Sequence, residues 1–375
     1  MKKMKVALIG CGMISGIYLK NLKSYDAIEL VGCADLIPAR AEARAAEFGI
    51  RPMTDEEIWG SPDIELVVNT TYPLAHYEVA RQSLLAGKHV YTEKLTTETV
   101  AQADELLALA KARGLFVGGA PDTFLDGSTQ LARRILDSGI LGTPVLAEAT
   151  LCRSYRHERF YAGDEKRFAF CRHGGILFDM GGYYLTELIF LLGDLARVSG
   201  FARIREPNRV YRNPNCPLYG QPMTVESWNH ATGSLEFASG VLGQITMTSE
   251  SGAGANRFVI YGTDGSIDLG DPNNYENSVK IRNKKGEEST IFTPFGYSSG
   301  NNRGIGVLDA VYAIRQDRPA RCSGEMNRHV LEAALGIVES SETGTATVLK
   351  TRCGRPAPLA VGYTENQELV FAEKG

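Results

Sequence analysis

Three small residues, Gly10, Gly12 and Ser15, are spaced so that they could hold a phosphate-bearing cofactor. They follow a predicted strand, Val6–Ile9, and open a predicted helix, an order close to the dinucleotide-binding pattern G-x-G-x-x-G/A. The first glycine permits a tight turn, the second lets a pyrophosphate approach the backbone, and the helix N-terminus faces the phosphates. Asp35 ends the next predicted strand, where a carboxylate can accept hydrogen bonds from the adenosine ribose. These features predict a dinucleotide site, with a glycine turn in another kind of α/β protein as the alternative.

Asp35 also bears on which dinucleotide binds. A carboxylate there accepts the ribose hydroxyls of NAD but repels the 2′-phosphate of NADP, by about 4 kcal/mol per charge pair at roughly 4 Å and an effective dielectric near 20. Arg40, five residues on, can offset part of this repulsion, so NADP stays possible. We therefore predict NAD as the cofactor, and we add Met13 and Ile14, at the start of the helix, to its predicted contacts.

The elements that position these residues alternate between short apolar runs and helical stretches, a pattern typical of a doubly wound parallel α/β sheet. The predicted strands are Val6–Ile9, Ile28–Ala34, Leu66–Asn69, His89–Tyr91 and Phe116–Val117. The predicted helices are Ile14–Lys23, Pro38–Phe48, Leu74–Ala86 and Val100–Arg113. Thr70 and Thr71 come at the end of the third strand, and we expect them near the cofactor because ligands bind at the carboxyl ends of such strands.

The pattern changes after about Ala120, where we divide the chain into two domains. Residues 1–121 are predicted to form the dinucleotide-binding domain, and residues 122–375 a substrate-binding and oligomerisation domain. From Val198 to about Phe292 the second domain is predicted to be mostly strand, with antiparallel hairpins and a long loop over Glu206–Pro222. Its predicted helices are Phe124–Ser138, Ile176–Leu192, Ile305–Arg315 and Glu325–Glu339.

The composition excludes several classes of protein. With 43% hydrophobic and 22% charged residues, the chain is not collagen-like, disordered or an integral membrane protein. Its 40 basic and 44 acidic residues leave a net charge of -4 without a basic block, so a nucleic-acid or membrane surface has no support. Seven cysteines stand singly without a C-x-x-C pair, so we predict reduced thiols and no metal site. The N-terminus imitates a signal peptide, but its glycines and the missing cleavage site favour a cytoplasmic protein.

Four motifs together resemble the Gfo/Idh/MocA family of NAD(P)-dependent oxidoreductases. They are Val6–Ser15, the A-G-K-H-V-Y-T-E-K stretch Ala86–Lys94, S-G-I-L-G-T-P-V at Ser138–Val145 and G-G-I-L-F-D-M-G at Gly174–Gly181. The resemblance covers nearly the whole chain. It implies an N-terminal Rossmann domain and a C-terminal α/β domain with a large, open, mostly antiparallel sheet. The exposed face of that sheet commonly packs against a second subunit, so we expect a homodimer or homotetramer.

The resemblance also implies catalytic roles. Lys94 matches the catalytic lysine of the family, Glu93 the acid that holds the nicotinamide ribose, and Asp179 the aspartate of a D-x-G-x-H motif that lines the substrate pocket. Two positions depart from the family pattern. Leu95 replaces the proline of E-K-P, and Tyr183 stands where the motif has histidine. On position alone, Glu93 and Lys94 either line the crevice at the end of a strand or lie in a solvated loop.

Tyr183 is therefore predicted to contact the substrate and to take part of the missing histidine's role. Asp179 and Tyr183 are four residues apart on one predicted helix and so share a face. Nearby positive charge is expected to lower the pKa of Lys94 or Tyr183 toward a useful range, because it disfavours the protonated lysine and favours the phenolate. Packing of Tyr183 between the helix and the sheet is the alternative.

Further site residues are predicted with a structural alternative for each. His76 resembles a family position near the cofactor but equally suits the start of its helix. Asp122 either meets the substrate or caps the helix predicted near Phe124. The polar stretch before Gly174 offers hydrogen-bond donors for a hydroxylated substrate, or is a solvated loop. The substrate contacts predicted there are Tyr155, His157 and Arg172.

Together these features imply hydride transfer between a nicotinamide and a secondary hydroxyl, or the matching ketone, of a sugar, polyol or glycoside. The expected partner is a small carbohydrate or polyol, with neither nucleic acid nor membrane. An NAD-dependent glycosidase, which oxidises its sugar transiently and then eliminates the aglycone, is the nearest alternative within the same family. A non-catalytic cofactor-sensing regulator on this fold is a third.

Overall fold

Two β-sheets organise the chain and follow one another in sequence. The computed structural model describes residues 2–153 and 174–360. In these ranges the N-terminal sheet has six parallel strands and the C-terminal sheet has nine mostly antiparallel strands. This confirms the predicted fold class, a Rossmann sheet followed by an α/β domain with a large mixed sheet.

The N-terminal sheet has the strand order β3-β2-β1-β4-β5-β6, the dinucleotide-binding order. Its strands are β1 Met4–Ile9, β2 Ile28–Ala34, β3 Arg51–Pro52, β4 Leu66–Asn69, β5 His89–Thr92 and β6 Val117–Gly119. The helices between them are α1 Ser15–Ser24, α2 Pro38–Phe48, α3 Asp55–Gly60, α4 His76–Leu85 and α5 Val100–Arg113. A 3-10 turn, Pro73–Ala75, replaces the predicted first turn of α4.

The sequence prediction missed β3 and α3. Helix α3 begins with a capping box in which Thr54 Oγ1 accepts from the Glu57 amide at 3.2 Å and Glu57 Oε2 accepts from the Thr54 amide at 2.8 Å. The T-x-x-E spacing is a sequence signal for such a start. Strand β3 has only two residues and is defined by its pairing with Gly32 and Cys33, so no local pattern indicates it.

The C-terminal sheet has the order β16-β15-β14-β13-β7-β12-β11-β8-β17, with only the β7–β12 pair parallel among the described strands. Its strands are β7 Pro144–Cys152, β8 Leu195–Arg203, β11 His230–Phe237, β12 Leu242–Thr248, β13 Ala255–Gly262, β14 Gly265–Asp268, β15 Ser278–Asn283, β16 Glu288–Phe292 and β17 Thr347–Val348. A two-stranded ribbon, β9 Asn208–Val210 and β10 Pro222–Thr224, forms where the sequence predicted only a loop.

The C-terminal helices cover one face of this sheet. They are α6 Gly127–Asp137, α7 Gly175–Asp179, α8 Gly181–Leu192, α9 Ile305–Gln316 and α10 Gly324–Thr343. Residues 175–192 are long and apolar enough to span a membrane by composition, but 94% of them are buried inside the fold. The other face carries exposed apolar side chains, among them Phe201 and Leu242, which are 65% and 58% exposed.

Two predicted helices differ from the structure. The helix predicted over Ile176–Leu192 is broken at Met180 into α7 and α8, because the Tyr183 amide bonds to the Met180 carbonyl at 3.0 Å, three residues back. The Gly181–Gly182 pair, with the low helix propensity of glycine, starts the second helix. The helix predicted from Phe124 begins at Gly127 and is preceded by a 3-10 turn, Thr123–Leu125.

Candidate active site

The glycine loop after β1 leaves room for a ligand. Gly10 has φ +102°, and a Cβ there would lie 2.5 Å from the Thr71 amide nitrogen, so only glycine fits. A Cβ on Gly12 would meet nothing within 4 Å, so the backbone faces open space at that position. Thr70 Oγ1 donates to the Gly10 carbonyl at 2.7 Å, and Ser15 Oγ donates to the Gly12 carbonyl at 2.6 Å. The two threonines therefore lie beside the loop as predicted, and the Thr70 hydroxyl is used to hold it.

Asp35 is fixed next to this loop by two backbone amides. Its Oδ2 accepts from the Cys11 amide and its Oδ1 from the Ile37 amide, both at 2.8 Å. Arg40 lies in the first turn of α2, and one turn later the guanidinium of Arg44 is 3.5 Å from the carbonyl oxygen of Gly12. The sequence prediction missed Arg44, although its i, i+4 spacing from Arg40 was available as a signal.

These residues fit a dinucleotide. The first turn of α1 carries no acidic side chain, and Ile14 at its N-cap makes no side-chain cap, so the positive end of the helix has no carboxylate of its own. Met13, in the loop before α1, is 64% exposed. The open space at Gly12, the uncapped helix and the fixed carboxylate of Asp35 are what a pyrophosphate and a ribose require.

Lys94 lies just after β5, and its ammonium group reaches into the C-terminal domain. Its Nζ forms an ion pair with Asp179 Oδ1 and donates to the Asp179 carbonyl at 3.2 Å. The same nitrogen lies over the Tyr183 ring, 5.3 Å from its centroid. The structure therefore brings the three predicted catalytic residues together, although the helix expected to carry Asp179 and Tyr183 is broken between them.

The charge of Lys94 differs from the expectation. Burial disfavours the ammonium form, but the Asp179 carboxylate, with Tyr183 and Glu93, outweighs this, so the pKa of Lys94 is raised above its ordinary value. The predicted lowering by neighbouring positive charge was wrong for Lys94, because the group in direct contact with its ammonium is a carboxylate. In this arrangement Lys94 holds its proton through the neutral pH range.

Glu93 is oriented from the interior of the Rossmann domain. Its Oε1 accepts from the Tyr18 hydroxyl at 2.7 Å, and its Oε2 accepts from the Lys94 amide at 3.1 Å. Burial, and then the charge of Glu93, raises the pKa of Tyr18 well above the usual range, so Tyr18 remains a donor. The sequence prediction missed Tyr18, which has no marker beyond lying on the buried face of α1.

His76 is fully buried and connects the two halves of the candidate site. Its Nδ1 is 2.7 Å from the Leu95 carbonyl oxygen, and its Nε2 is 3.0 Å from the Thr71 carbonyl oxygen. Burial lowers the pKa of His76, and a neutral imidazole donates only one hydrogen, so it bonds one of these two carbonyls at a time. His76 is the first residue of α4, as the structural alternative expects, and its ring contacts tie the segment after Lys94 to the end of β4.

Asp122 has a different role from either one predicted. It is 1% exposed, and its Oδ2 accepts from the amides of Gly304 and Gly306 at 2.8 and 3.0 Å. It therefore caps the start of α9, and the predicted cap on the helix near Phe124 was wrong. That helix is capped by Asp126, whose Oδ1 accepts from the Thr129 amide at 2.7 Å. The other oxygen of Asp122, Oδ1, accepts from the Tyr275 hydroxyl at 3.4 Å. Because Asp122 is buried and both of its oxygens are bonded, direct contact with the substrate is disfavoured.

A second cation, Arg303, reaches the same tyrosine. Its Cζ lies over the Tyr183 ring, 5.8 Å from the centroid, and its Nη2 donates to the Tyr183 hydroxyl at 3.4 Å and to Asn273 Oδ1 at 2.5 Å. Arg303 lies in the loop before α9, and no sequence motif marked it. The predicted substrate contacts Tyr155, His157 and Arg172 lie outside the described residues.

Comparison with known proteins agrees with this geometry. Residues 4–119 match the model of an oxidoreductase family with an NAD-binding Rossmann fold, and residues 129–268 match the GFO/IDH/MocA C-terminal domain. An uncharacterised oxidoreductase of Synechocystis is 28% identical over 276 residues, 72% of either chain. The 1,5-anhydro-D-fructose reductase of Ensifer adhaerens is 23% identical over 92% of this chain and 98% of its own.

Solved structures show the same fold. A levoglucosan dehydrogenase in complex with NADH and L-sorbose superimposes with a TM-score of 0.80 at 20% identity, covering 94% of this chain and 100% of that one. The two family models together span more than half of the chain, and they cover both the glycine loop and the helices that carry Asp179 and Tyr183. The chain therefore belongs to the Gfo/Idh/MocA family of NAD-binding oxidoreductases.

Proposed function

We propose that the protein is an NAD-dependent oxidoreductase that acts on a secondary hydroxyl, or the matching ketone, of a sugar or polyol. The observation that carries the proposal is the position of Lys94 Nζ. Lys94 follows β5 at the edge of the parallel sheet where the glycine loop also lies, and its Nζ is held by Asp179. Relatives named for 1,5-anhydro-D-fructose, inositol and levoglucosan support the substrate class.

The cofactor, when bound, supplies the nicotinamide carbon that accepts or donates a hydride. The glycine loop and the start of α1 would hold its pyrophosphate, and Asp35 would accept hydrogen bonds from its ribose hydroxyls. Glu93, fixed by Tyr18, would accept hydrogen bonds from the second ribose.

Lys94 then acts on the reacting oxygen. Its Nζ carries a proton and donates a hydrogen bond to that oxygen, which stabilises the negative charge that develops there. In the direction of ketone reduction Lys94 delivers the proton to the new hydroxyl. In the direction of oxidation Lys94 must first release a proton to solvent, and its neutral amine then accepts the proton of the reacting hydroxyl. Tyr183 bounds the pocket, with its hydroxyl toward Arg303.

The test is a screen of sugars, polyols and glycosides with NAD and NADP that follows NADH fluorescence and product release together. We expect stoichiometric NADH from at least one sugar or polyol. The Lys94→Ala variant is expected to lose about 10² to 10⁴ in rate while binding NAD normally, with the exposed Lys111→Ala as its matched control. Near-normal turnover in folded Lys94→Ala would refute the role of Lys94. Aglycone release without net NADH would replace the proposal with the glycosidase alternative.

Three further properties belong to this proposal. We propose the domain division at residues 121 and 122, a cytoplasmic location and self-association through the open face of the C-terminal sheet. Free cysteines among the described residues are consistent with a reducing compartment. The exposed Phe201 and Leu242 lie on strands of that sheet. Light scattering of wild type and a Phe201→Glu variant tests the interface, since a monomeric wild type would contradict it.

A further inference from the structure

We infer that Arg303 anchors an anionic group of the substrate, so that the preferred substrate is a sugar acid, with a carboxylate some way from the reacting carbon. The inference rests on the proposed function and narrows its substrate class. Three observations support it: the surroundings of the partly buried guanidinium, its position relative to Lys94, and the carboxylate partners of the buried arginines.

Neutral oxygens alone contact the guanidinium within the described part of the chain. Its Nη1 donates to Asn301 Oδ1 at 3.0 Å, and its Nη2 contacts Asn273 Oδ1 at 2.5 Å, the Asn273 carbonyl at 3.4 Å and the Tyr183 hydroxyl at 3.4 Å. No carboxylate oxygen of residues 2–153 or 174–360 lies within 4.0 Å of it. A guanidinium has five N–H donors, so the described residues leave the Nε–H and one Nη1–H for a ligand.

The nearest carboxylates are already committed to other donors. Glu93 and Asp122 are close enough for their charges to interact with that of Arg303, but neither forms an ion pair with it. Glu93 accepts from Tyr18 and from the Lys94 amide, and Asp122 accepts from the two amides at the start of α9. Neither carboxylate is therefore available as a counter-ion for Arg303.

Other arginines with little exposure have carboxylate partners. The Arg209 and Glu250 side chains, each 6% exposed, pair at 3.0 Å, and the 10% exposed Arg321 pairs with the fully buried Asp309 at 2.6 Å. This is what desolvation requires, since a buried charge without a partner is costly. Arg303 departs from this rule at the edge of the candidate active site, where a substrate can complete the pair.

The position of Arg303 matches a substrate held by Lys94. Both cations lie within 6 Å of the centroid of the Tyr183 ring, so they are no more than about 12 Å apart. Lys94 is paired with Asp179, whereas Arg303 has no directly paired carboxylate among the described residues. Its planar fork of donors matches a carboxylate in bidentate geometry, which a neutral hydroxyl cannot equal.

The experiment compares acidic and neutral substrates of the same carbon skeleton. Initial rates of NADH formation are measured for D-gluconate against D-glucitol and for D-glucuronate against D-glucose, and binding of each to the protein with NAD is measured by calorimetry. We expect kcat/KM to favour the acids by at least about tenfold, with a KM for the acids that rises with NaCl because a charge pair is screened.

Variants separate anion binding from a positioning role. Arg303→Gln is expected to raise KM for the acids about tenfold or more and to lower kcat/KM for the acids by a larger factor than for the neutral substrates. Arg303→Lys is expected to restore part of the affinity for the acids. Arg113→Gln, an exposed arginine at the end of α5, is the matched control, and circular dichroism and NAD binding verify the fold. If Arg303→Gln does not fold, the KM of Arg303→Lys for the acids and its dependence on NaCl test the anchor instead.

Each other outcome overturns one of the two claims. If neutral sugars are oxidised as well as the acids, or if Arg303→Gln lowers kcat for both classes equally, the anion anchor is refuted and the proposed function stands. If no substrate reduces NAD but acids bind in an Arg303-dependent way, the proposed function fails and the anchor stands. Acid binding that does not depend on Arg303 overturns the anchor whatever the activity.

Discussion

Asp179→Asn tests whether the ion pair with Lys94 controls the proton on which the proposed chemistry depends. In the wild type, burial opposes the charge of Lys94 and the Asp179 carboxylate more than compensates, so the pKa of Lys94 is raised. Asparagine keeps the shape of the side chain but removes its charge. Burial, which disfavours the charged lysine, then outweighs the remaining attraction, and we expect the pKa of Lys94 to fall below its ordinary value.

The size of the effect follows from the geometry. The side chains of Lys94 and Asp179 are each only 16% exposed, so solvent screens their attraction weakly. At a charge separation of roughly 4 Å and an effective dielectric near 20, that attraction is about 4 kcal/mol, which corresponds to a factor of about 10³ in the ratio of neutral to charged lysine.

The assay is the pH dependence of kcat/KM for alcohol oxidation, which needs neutral Lys94 to accept the proton. For the wild type we expect the rate to rise about tenfold per pH unit without a plateau through pH 10, because the group titrates higher. For Asp179→Asn we expect a plateau at lower pH. Labelling of the Lys94 amine by an acylating reagent, quantified on its peptide, reports the same shift without turnover.

The exposed pair of Asp104 and Arg328 supplies the control. Asp104→Asn removes a carboxylate of 55% exposure that pairs with Arg328 and not with Lys94, and we expect it to leave both the profile and the labelling unchanged. If Asp179→Asn gave the wild-type profile and the wild-type labelling, Asp179 would not be what keeps Lys94 charged.

Three other substitutions test neighbouring features. Tyr183→Phe keeps the ring beside Lys94 but removes the hydroxyl that Arg303 contacts, and we expect kcat to fall about tenfold at an unchanged melting temperature; a normal kcat would exclude the hydroxyl from the mechanism. Asp35→Ser is expected to raise kcat/KM for NADP relative to NAD at least about tenfold at fixed ionic strength, and an unchanged ratio would contradict the assigned repulsion. Burial raises the pKa of Glu187, whose Oε2 has no hydrogen-bond partner in residues 2–153 and 174–360, so the fold keeps a proton that the unfolded chain releases above about pH 4.5. This contribution to the free energy of unfolding is lost as pH rises above about 4.5. In denaturant unfolding, the stability of Glu187→Gln relative to wild type is therefore expected to increase by about 1.4 kcal/mol per pH unit, and a difference independent of pH would refute the prediction.

The sequence predicted the Rossmann domain well because each of its signals is local. The spacing of Gly10, Gly12 and Asp35 requires a strand, a turn, a helix and a second strand in that order, and all four are present. The helix ends at Gly49 and Gly114, with φ of +63° and +65°, were indicated by single glycines. Prediction failed at β3, where pairing across the sheet defines the strand and no local pattern does.

The candidate site was predicted only in part, for the same physical reason. Lys94, Asp179 and Tyr183 were found through motifs, but the contact of Arg303 with Tyr183 joins residues 120 positions apart. The break at Met180 was missed because every residue of α8 is buried, and a helix that is apolar all round gives no periodicity to interpret.

The close fit between the two domains explains why Lys94 and Asp179 can meet at all, since each comes from a different domain. A Cβ on Gly118 would lie 2.1 Å from the Cys322 carbonyl oxygen, and the Gly119 amide donates to that oxygen at 3.1 Å. The edge of β6 therefore joins directly to the segment before α10, and α10 packs against α8. Because α8 follows α7, which ends at Asp179, the counter-ion of Lys94 is positioned by a chain of backbone and helix contacts. A side chain added at Gly118 would collide with the Cys322 carbonyl and so disturb this chain of contacts at its first link.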